Sequence, residues 1–212
     1  MPPDLPLRTP SIIVKGIIVQ DQSVILMSEK YEDDPDVALM LRVSMGDRIA
    51  FESLVSKFQR SVINTAYRYT GNPSVAEELA QDVFVRMYRA APAYKPEARF
   101  STWLFTIVRN VCANYRERQG RFDRQMDPEA DAYLTMQDAD NPQDGLIRQE
   151  REKRIRNAVN SLPDSLRMPL VLHQFNHMAY DEVARVLQIS LSAVKVRIHR
   201  ARTALMEQLK DL

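Results

Sequence analysis

The segment "YDEVARVLQISLSAVKVRIHRAR", residues 180–202, joins two short helical patterns through a three-residue turn. The first helix ends at Leu187, the turn contains Ile189, and the second helix begins near Ser190. At about 100° per residue, Val194, Ile198, Ala201 and Leu205 fall within about 60° of one another, so they form one apolar stripe that must pack on the preceding helix. The opposite face carries Ser192, Val196, His199, Arg200 and Thr203, flanked by Lys195 and Arg202 on one side and Arg197 on the other. These are the proportions of a helix-turn-helix. The outer face suits the major groove of DNA, with central side chains reaching base edges and flanking cations reaching phosphates. A merely solvated basic face would explain the cations, but not the agreement of stripe, turn and first helix.

The whole chain is nearly neutral: its 212 residues hold 29 Lys+Arg against 28 Asp+Glu, a formal charge of +1. The distribution is uneven. From Arg99 to Arg124, six arginines stand against Glu117 and Asp123; from Asp127 to Glu150, seven acids stand against Arg148; from Arg185 to Arg202, five Lys/Arg meet no acid. Two candidate anion-binding surfaces are thus separated by an acidic connector. Hydrophobic residues make up 45% of the chain and glycine is scarce at 5, and helical spacing dominates, which points to an all-α class. A single cysteine, Cys112, excludes an internal disulfide framework and fits a reducing cytoplasm. No apolar run reaches the roughly 18–20 residues that span a bilayer, so no membrane insertion is expected. "SIIVKGIIV" is interrupted by Lys15 and lacks a small-residue cleavage site, which argues against a signal peptide.

Enzyme chemistry finds little support. There is no glycine loop to cradle phosphates. His173 and His177 stand at the i,i+4 spacing of helical metal ligands, but no HExxH glutamate or third ligand accompanies them. No catalytic residue, metal or cofactor is expected.

Along the chain, residues 1–34 form an extension that is Pro-rich, then β-like, then acidic. Its "SIIVKGIIVQ" suits a hairpin about Lys15-Gly16; a disordered tail, or residues ahead of a start at Met27, are the alternatives. Residues 35–119 carry four helical patterns, roughly 36–45, a long one capped by Asp47 and stopped by Gly71, one from Asn72-Pro73 to Ala90, and one at 101–119. Residues 120–144 lose periodicity and gain acids and prolines, as a flexible linker does. Helical pattern resumes over 145–212, giving two small helical domains in all.

Four ordered runs, "GDRIAFESLV" (46–55), "AYRYTGNPSVAEELAQDVFVRMYRA" (66–90), "FSTWLFTIVRNVCANYRER" (100–118) and the helix-turn-helix, resemble the extracytoplasmic-function (ECF) sigma factors of bacterial RNA polymerase. The resemblance covers roughly 37–120 and 145–210. It implies a sigma-2-like front domain for core binding, −10 recognition and melting, and a sigma-4-like back domain for −35 recognition. It also implies the partners: polymerase core, through the β′ coiled coil and the β subunit, promoter DNA, and an anti-sigma factor, with stress response the family's common setting. The −35 set is then Ser192, Lys195, Val196, Arg197, His199, Arg200, Arg202 and Thr203. The implied −10 set is Tyr94, Lys95, Arg99, Phe100, Trp103, Arg109, Asn110 and Arg116, with the loop at 94–100 taking a flipped base and Asn110 contacting another. For Trp103, a ring that holds the loop against the helix and a ring that stacks on DNA both remain open. Glu78, Gln81, Asp82 and Phe84 are the implied polymerase contacts, an acidic face about an apolar centre. The acidic linker resembles the family's connector through the polymerase cleft.

Some residues depart from the family pattern. Where Gly and then Ser often precede the helix-turn-helix, His177 and Ala179 stand here; Ala179 has no capping side chain, so the helix start would lean on Asn176 or differ in shape. Ser192-Ala193 replaces a common Gly-Thr. Val196 replaces a polar residue and suits contact with a thymine methyl. The rival reading, a non-sigma helix-turn-helix regulator with a sensory N-terminal half, accounts for 180–202 but leaves "AEELAQDVF" and the Arg/aromatic block without a role.

Overall fold

The computed structural model describes residues 13–14, 17–18, 31, 33–119 and 142–210. Near the start, β1 (Ile13–Val14) and β2 (Ile17–Ile18) pair antiparallel with Ile13 opposite Ile18 and Val14 opposite Ile17, bracketing Lys15-Gly16 as the hairpin reading expects. Among the described residues all else that is regular is helical.

Local chemistry sets the helix ends of the front half. Asp34 caps α1 (Pro35–Ser44) by accepting from the Asp36 N–H at 3.0 Å, and proline sits in the first turn, where its missing N–H costs nothing. Asp47 caps α2 (Arg48–Thr70), accepting from the Ala50 N–H at 3.0 Å and from the Arg42 guanidinium at 2.6 Å. The Ala50 N–H foremost, and Arg42 after it, hold the Asp47 carboxyl below the usual carboxylate range. Gly71, at φ +74°, ends α2 in the left-handed conformation that any Cβ would strain. Asn72 accepts from the Val75 N–H at 3.1 Å to start α3 (Pro73–Ala90). A 3-10 turn at Ala91–Ala93 and the loop to Arg99 then lead into α4 (Phe100–Gln119). The apolar stripes of these helices close on Met40, Leu54, Val62, Val83, Met87, Phe100, Leu104 and Val108, all buried. Cutting Leu54 or Leu104 back to alanine would cost roughly 2–5 kcal/mol, transfer and cavity together.

The back half holds α5 (Pro142–Ser161), α6 (Asp164–Gln174), α7 (Tyr180–Leu187) and α8 (Leu191–Gln208). Pro142 opens α5, so helix begins within the span expected to be linker. The rest of that linker, 120–141, lies outside the described residues, as does most of the extension before residue 31.

The helix-turn-helix is built as its pattern predicts. Gln188 closes α7 at φ +56°, and the Ser190 hydroxyl caps α8 by accepting from the Ala193 N–H at 3.2 Å. Val183 and Val186 of α7 are buried together with Val194, Ile198 and Ala201 of α8. The start of α7 corrects one expectation. The side chain that meets it is not Asn176 but Glu182, whose Oε2 accepts from the N–H of the N-cap residue Ala179 at 2.8 Å, the reciprocal half of a capping box. The Asn176 amide turns instead to Ser61 (2.6 Å) and Thr65 (2.9 Å) of α2.

That contact is one of many between the halves. Helices α2 and α4 of the front domain meet α5, α6 and α7 of the back domain, and the buried residues of both form one continuous apolar cluster. Tyr31 packs on this cluster from the N-terminal side and accepts from Arg185 Nη1 at 3.2 Å.

Candidate nucleic-acid interface

The cap at Ser190 and the stripe buried on α7 fix how α8 presents its other side. Ser192, Lys195, Val196, His199, Arg200, Arg202 and Thr203 are all exposed, and Arg197 is half-buried at the edge of the stripe. Val196 is 48% exposed, unusual for valine on a helix that has a core to join. Among the described residues Lys195, Arg197 and Arg200 have no carboxylate partner; Arg202 reaches only the Gln174 side chain, at 3.5 Å. Unpaired cations on a rigid, capped helix can meet phosphate without first giving up a protein partner, and binding there is driven by release of counterions.

The expected −10 residues are placed differently. Lys95, Arg99, Asn110 and Arg116 are exposed, and Arg109 is half-buried. Tyr94 and Phe100 are core residues, 8% and 0% exposed. Both are corrected from surface contacts to supports of the 94–100 loop in this conformation. Trp103 is gripped between them, its ring 4.9 Å from Tyr94 at 72° and 5.9 Å from Phe100 at 40°. Of its two open readings, this geometry favours the ring that holds the loop. Among the described residues the Tyr94 hydroxyl and Thr102 Oγ1 are buried without a hydrogen-bond partner, and burial, with the Asp34 charge, pushes the Tyr94 phenol up.

Each arginine of this face is engaged by the back domain. Arg116 Nη2 donates to Asp164 Oδ1 at 2.8 Å, Arg109 Nε donates to the Val186 carbonyl at 3.2 Å, and Arg99 Nε lies 3.7 Å from Glu182 Oε1. Tyr69 donates to the other Asp164 oxygen at 3.2 Å; burial first, and the Asp164 charge next, push its phenol up to about 12. The Arg68 guanidinium sits 4.1 Å over the Phe175 ring.

On α3, Glu78 and Gln81 are exposed, and Asp82 is half-buried beside Arg86 at 2.9 Å. Phe84 is corrected: at 8% exposure it belongs to the front core with Leu79, Ala80, Val83 and Met87. The apolar groups left outward are Val85 and Tyr88, the latter edge-on to Phe51 at 5.1 Å. They follow Gln81 at i+4 and i+7 and so continue its face.

Sequence reasoning missed the residues of the joint. Arg167, 5% exposed, donates to the carbonyls of Leu162 (2.7 Å), Tyr69 (2.7 Å) and Asn160, tying the end of α2 to the α5–α6 corner. A lone arginine in "SLRMPL" carries no local signal of this, since its partner Tyr69 is remote in sequence. The histidine pair is also resolved. His173 lies in α6, bonded through Nδ1 to the Met178 carbonyl and stacked on Tyr180, whereas His177 lies past the helix end at φ +53°. Among the described residues no group of three His, Cys, Asp or Glu could hold a metal ion, and no helix is long and apolar enough to cross a membrane.

Comparison with known proteins agrees with this geometry. Residues 54–122 match the family described as Sigma-70 region 2, and residues 152–205 match Sigma-70, region 4. The chain is 31% identical over 185 residues to the RNA polymerase sigma-H factor of Pseudomonas aeruginosa, covering 84% of this chain and 96% of that one. It is 30% identical over 192 residues to the ECF RNA polymerase sigma-E factor of Escherichia coli K12, covering 88% and 98%. Among solved structures, CnrH in complex with the cytosolic domain of CnrY aligns with a TM-score of 0.64 at 25% identity, over 84% of this chain and 98% of that one. The sigma factor RpoE of Bartonella quintana, solved with the anti-sigma factor NepR, aligns with a TM-score of 0.61 at 21% identity, over 76% and 97%.

Proposed function

The chain belongs to the extracytoplasmic-function group of the sigma-70 family, and from that premise we propose how its residues direct RNA polymerase core to −35/−10 promoters under the control of an anti-sigma factor. In the back domain, α8 lies in the major groove of the −35 duplex. Val196 and Arg200 read base edges, Ser192, His199 and Thr203 lie beside them, and Lys195, Arg197 and Arg202 bind phosphates. The observation that carries this reading is the division of α8 itself: Val194, Ile198 and Ala201 are buried, while every residue of the −35 set except half-buried Arg197 is exposed.

In the front domain, the aromatic triad Tyr94–Trp103–Phe100 holds the loop that receives an unpaired −10 base. Asn110 offers an exposed amide to a second base, and Lys95, Arg99, Arg109 and Arg116 take the backbone of the opened strand. The outward face of α3, with Glu78, Gln81 and Asp82 beside Val85 and Tyr88, meets the basic β′ coiled coil: carboxylates steer the encounter and the apolar pair supplies buried area. The protein works in the cytoplasm and performs no chemistry of its own; it positions duplex and single strand so that polymerase can act.

Run-off transcription with purified core polymerase over a promoter library tests this. A discrete set of promoters served by this chain with no other sigma factor present is the expected result. Product only when a second sigma factor is added would leave a helix-turn-helix regulator instead.

A further inference from the structure

We propose that Asp34 is a positioning residue of the −10 reader: its carboxylate caps α1 and α4 at once and so fixes the end of the 94–100 loop on the domain. This role rests on the reading of that loop as the receiver of an unpaired base, and it names what holds the loop in register.

The need for such a residue is visible in the sequence. Helix α4 opens at Phe100, and its first N–H groups have no helical carbonyl to serve them. The residue ahead of it is Arg99, whose side chain carries donors only, so "EARFSTW" lacks the usual local cap. The structure brings an acceptor from 66 positions upstream. Asp34 Oδ1 accepts from the Asp36 N–H at 3.0 Å, as the N-cap of α1 should, and Oδ2 accepts from the Phe100 N–H at 3.3 Å. One anion thus stands at the positive ends of two helices, where both dipoles favour it. A carboxylate can divide itself in this way because it has two acceptor oxygens; serine and asparagine side chains have one each.

The anchor is itself held. Asp36, two residues on, is 9% exposed, and both its oxygens accept from Lys57 Nζ of α2, at 2.6 and 2.7 Å. The next residue of α2, Phe58, meets the Phe100 ring edge-on at 5.2 Å. The first turn of α1 and the first residue of α4 therefore share a footing on α2. The near end of the loop is held by apolar contact instead. The Tyr94 ring lies edge-on to Trp103, and its hydroxyl finds no hydrogen-bond partner among the described residues. Burial first, and the Asp34 charge next, push that phenol up, so the carboxylate is felt at both ends of the loop. Backbone bonds inside the segment are local: the Glu97 N–H donates to the Lys95 carbonyl at 2.9 Å, and the Trp103 N–H to the Arg99 carbonyl at 3.2 Å. They shape the turn without placing it on the domain. Ring contacts act over a range of offsets, whereas a hydrogen bond sets distance and direction. Asp34 supplies that direction and touches no base itself.

D34S and D47S are compared in the full chain. Serine caps a helix about as well as aspartate, so D34S keeps the start of α1 and loses the bond to Phe100. D47S makes the same exchange beyond the other end of α1, keeping the cap of α2 and losing the Arg42 contact. Each removes one negative charge. Amide exchange in the free chain, followed by NMR, is expected to quicken at Phe100 about fivefold in D34S, the worth of one ordinary hydrogen bond, and not in D47S. Holoenzyme made from each chain and core polymerase is then run on promoters whose −10 element is randomised one position at a time. D34S is expected to lose about fivefold of base preference at a single position, other than the one flattened by Asn110→Ala, with −35 duplex binding unchanged. D47S is expected to match wild type. Unchanged exchange at Phe100 in D34S would overturn the double cap. Faster exchange with preference intact, or a loss spread evenly over all −10 positions, would overturn the positioning role. Should circular dichroism show that D34S has lost helix, D34N, which also caps α1, is judged by the same two measurements and the same outcomes. Were the sigma reading itself wrong, wild type would give no product at any promoter, and the positioning role would fall with it whatever the exchange rates.

Discussion

The outer face of α8 and the cationic side of α4 present the same kind of side chain for the same kind of ligand, and they stand in opposite states. On α8, Lys195, Arg197 and Arg200 face outward without carboxylate partners among the described residues. On and beside α4, Arg99, Arg109 and Arg116 are each met by an oxygen of the back domain. The difference follows from what each helix buries. One stripe, Val194, Ile198 and Ala201, satisfies α8 within its own domain and leaves the rest of its circumference free. Helix α4 packs Leu104, Val108 and Val111 into the front core and then meets α7 on another side, so its cations lie at a joint. A basic residue's availability is thus set by the packing of the helix that carries it, not by its charge.

The most drastic way to break the contrast is to remove the pin of the joint. Arg167→Met leaves the Leu162, Tyr69 and Asn160 carbonyls without their donor, and stability in urea is expected to fall by roughly 3 kcal/mol. A loss under about 1 kcal/mol would mean that water replaces the guanidinium freely. Next comes the open face. Lys195→Ala with Arg200→Ala should weaken binding to a −35 duplex on the order of 30-fold and flatten its salt dependence by about one phosphate contact, that of Lys195. Single-stranded oligonucleotide binding by the front domain should not change. Equal losses in both assays would erase the distinction between the faces.

Asn110→Ala sharpens the other side. Permanganate footprinting should show open-complex formation about tenfold slower, with initial duplex binding near wild type, because a single base-edge amide is lost. Ser190→Ala removes the cap of α8 and should cost about 1 kcal/mol, read as a lower thermal midpoint with unchanged helix contacts to DNA at low temperature. The smallest effect is on pH. The Asp47 carboxyl is held low in the folded chain, so its contribution is present above the ordinary carboxylate range and is lost as pH falls below about 4. Asp47→Asn, still able to cap, should make the thermal midpoint slightly less sensitive to acid in that window.

What was legible in the sequence was what short-range pattern encodes. Asp47, Asn72 and Ser190 as caps, Gly71 as a stop, and the stripe of α8 all depend on neighbours within one or two turns. Aromatic placement was less legible. Periodicity marks α3 as amphipathic but does not tell which apolar residue faces inward, so it cannot separate buried Phe84 from exposed Val85 and Tyr88; the same holds for buried Phe100. The joint was not legible at all. Ser61 and Asn176 are 115 positions apart, and the acids that meet the arginines, Asp164 and Glu182, look from the sequence like ordinary first-turn residues of their helices. Asn176 illustrates the limit: its place ahead of α7 suggests a local capping task, whereas its amide bonds to Ser61 and Thr65 of a remote helix.

Tyr31 stands ahead of the first helix, yet its hydroxyl accepts from Arg185, and Arg185 also grips Asp181 at 2.7 Å. The lead-in to α1 is therefore a strap across the hinge line between front and back. A chain trimmed to begin at Asp33 would keep the eight described helices and the Asp34 cap, lose that strap, and be expected to swing apart more readily than the full one.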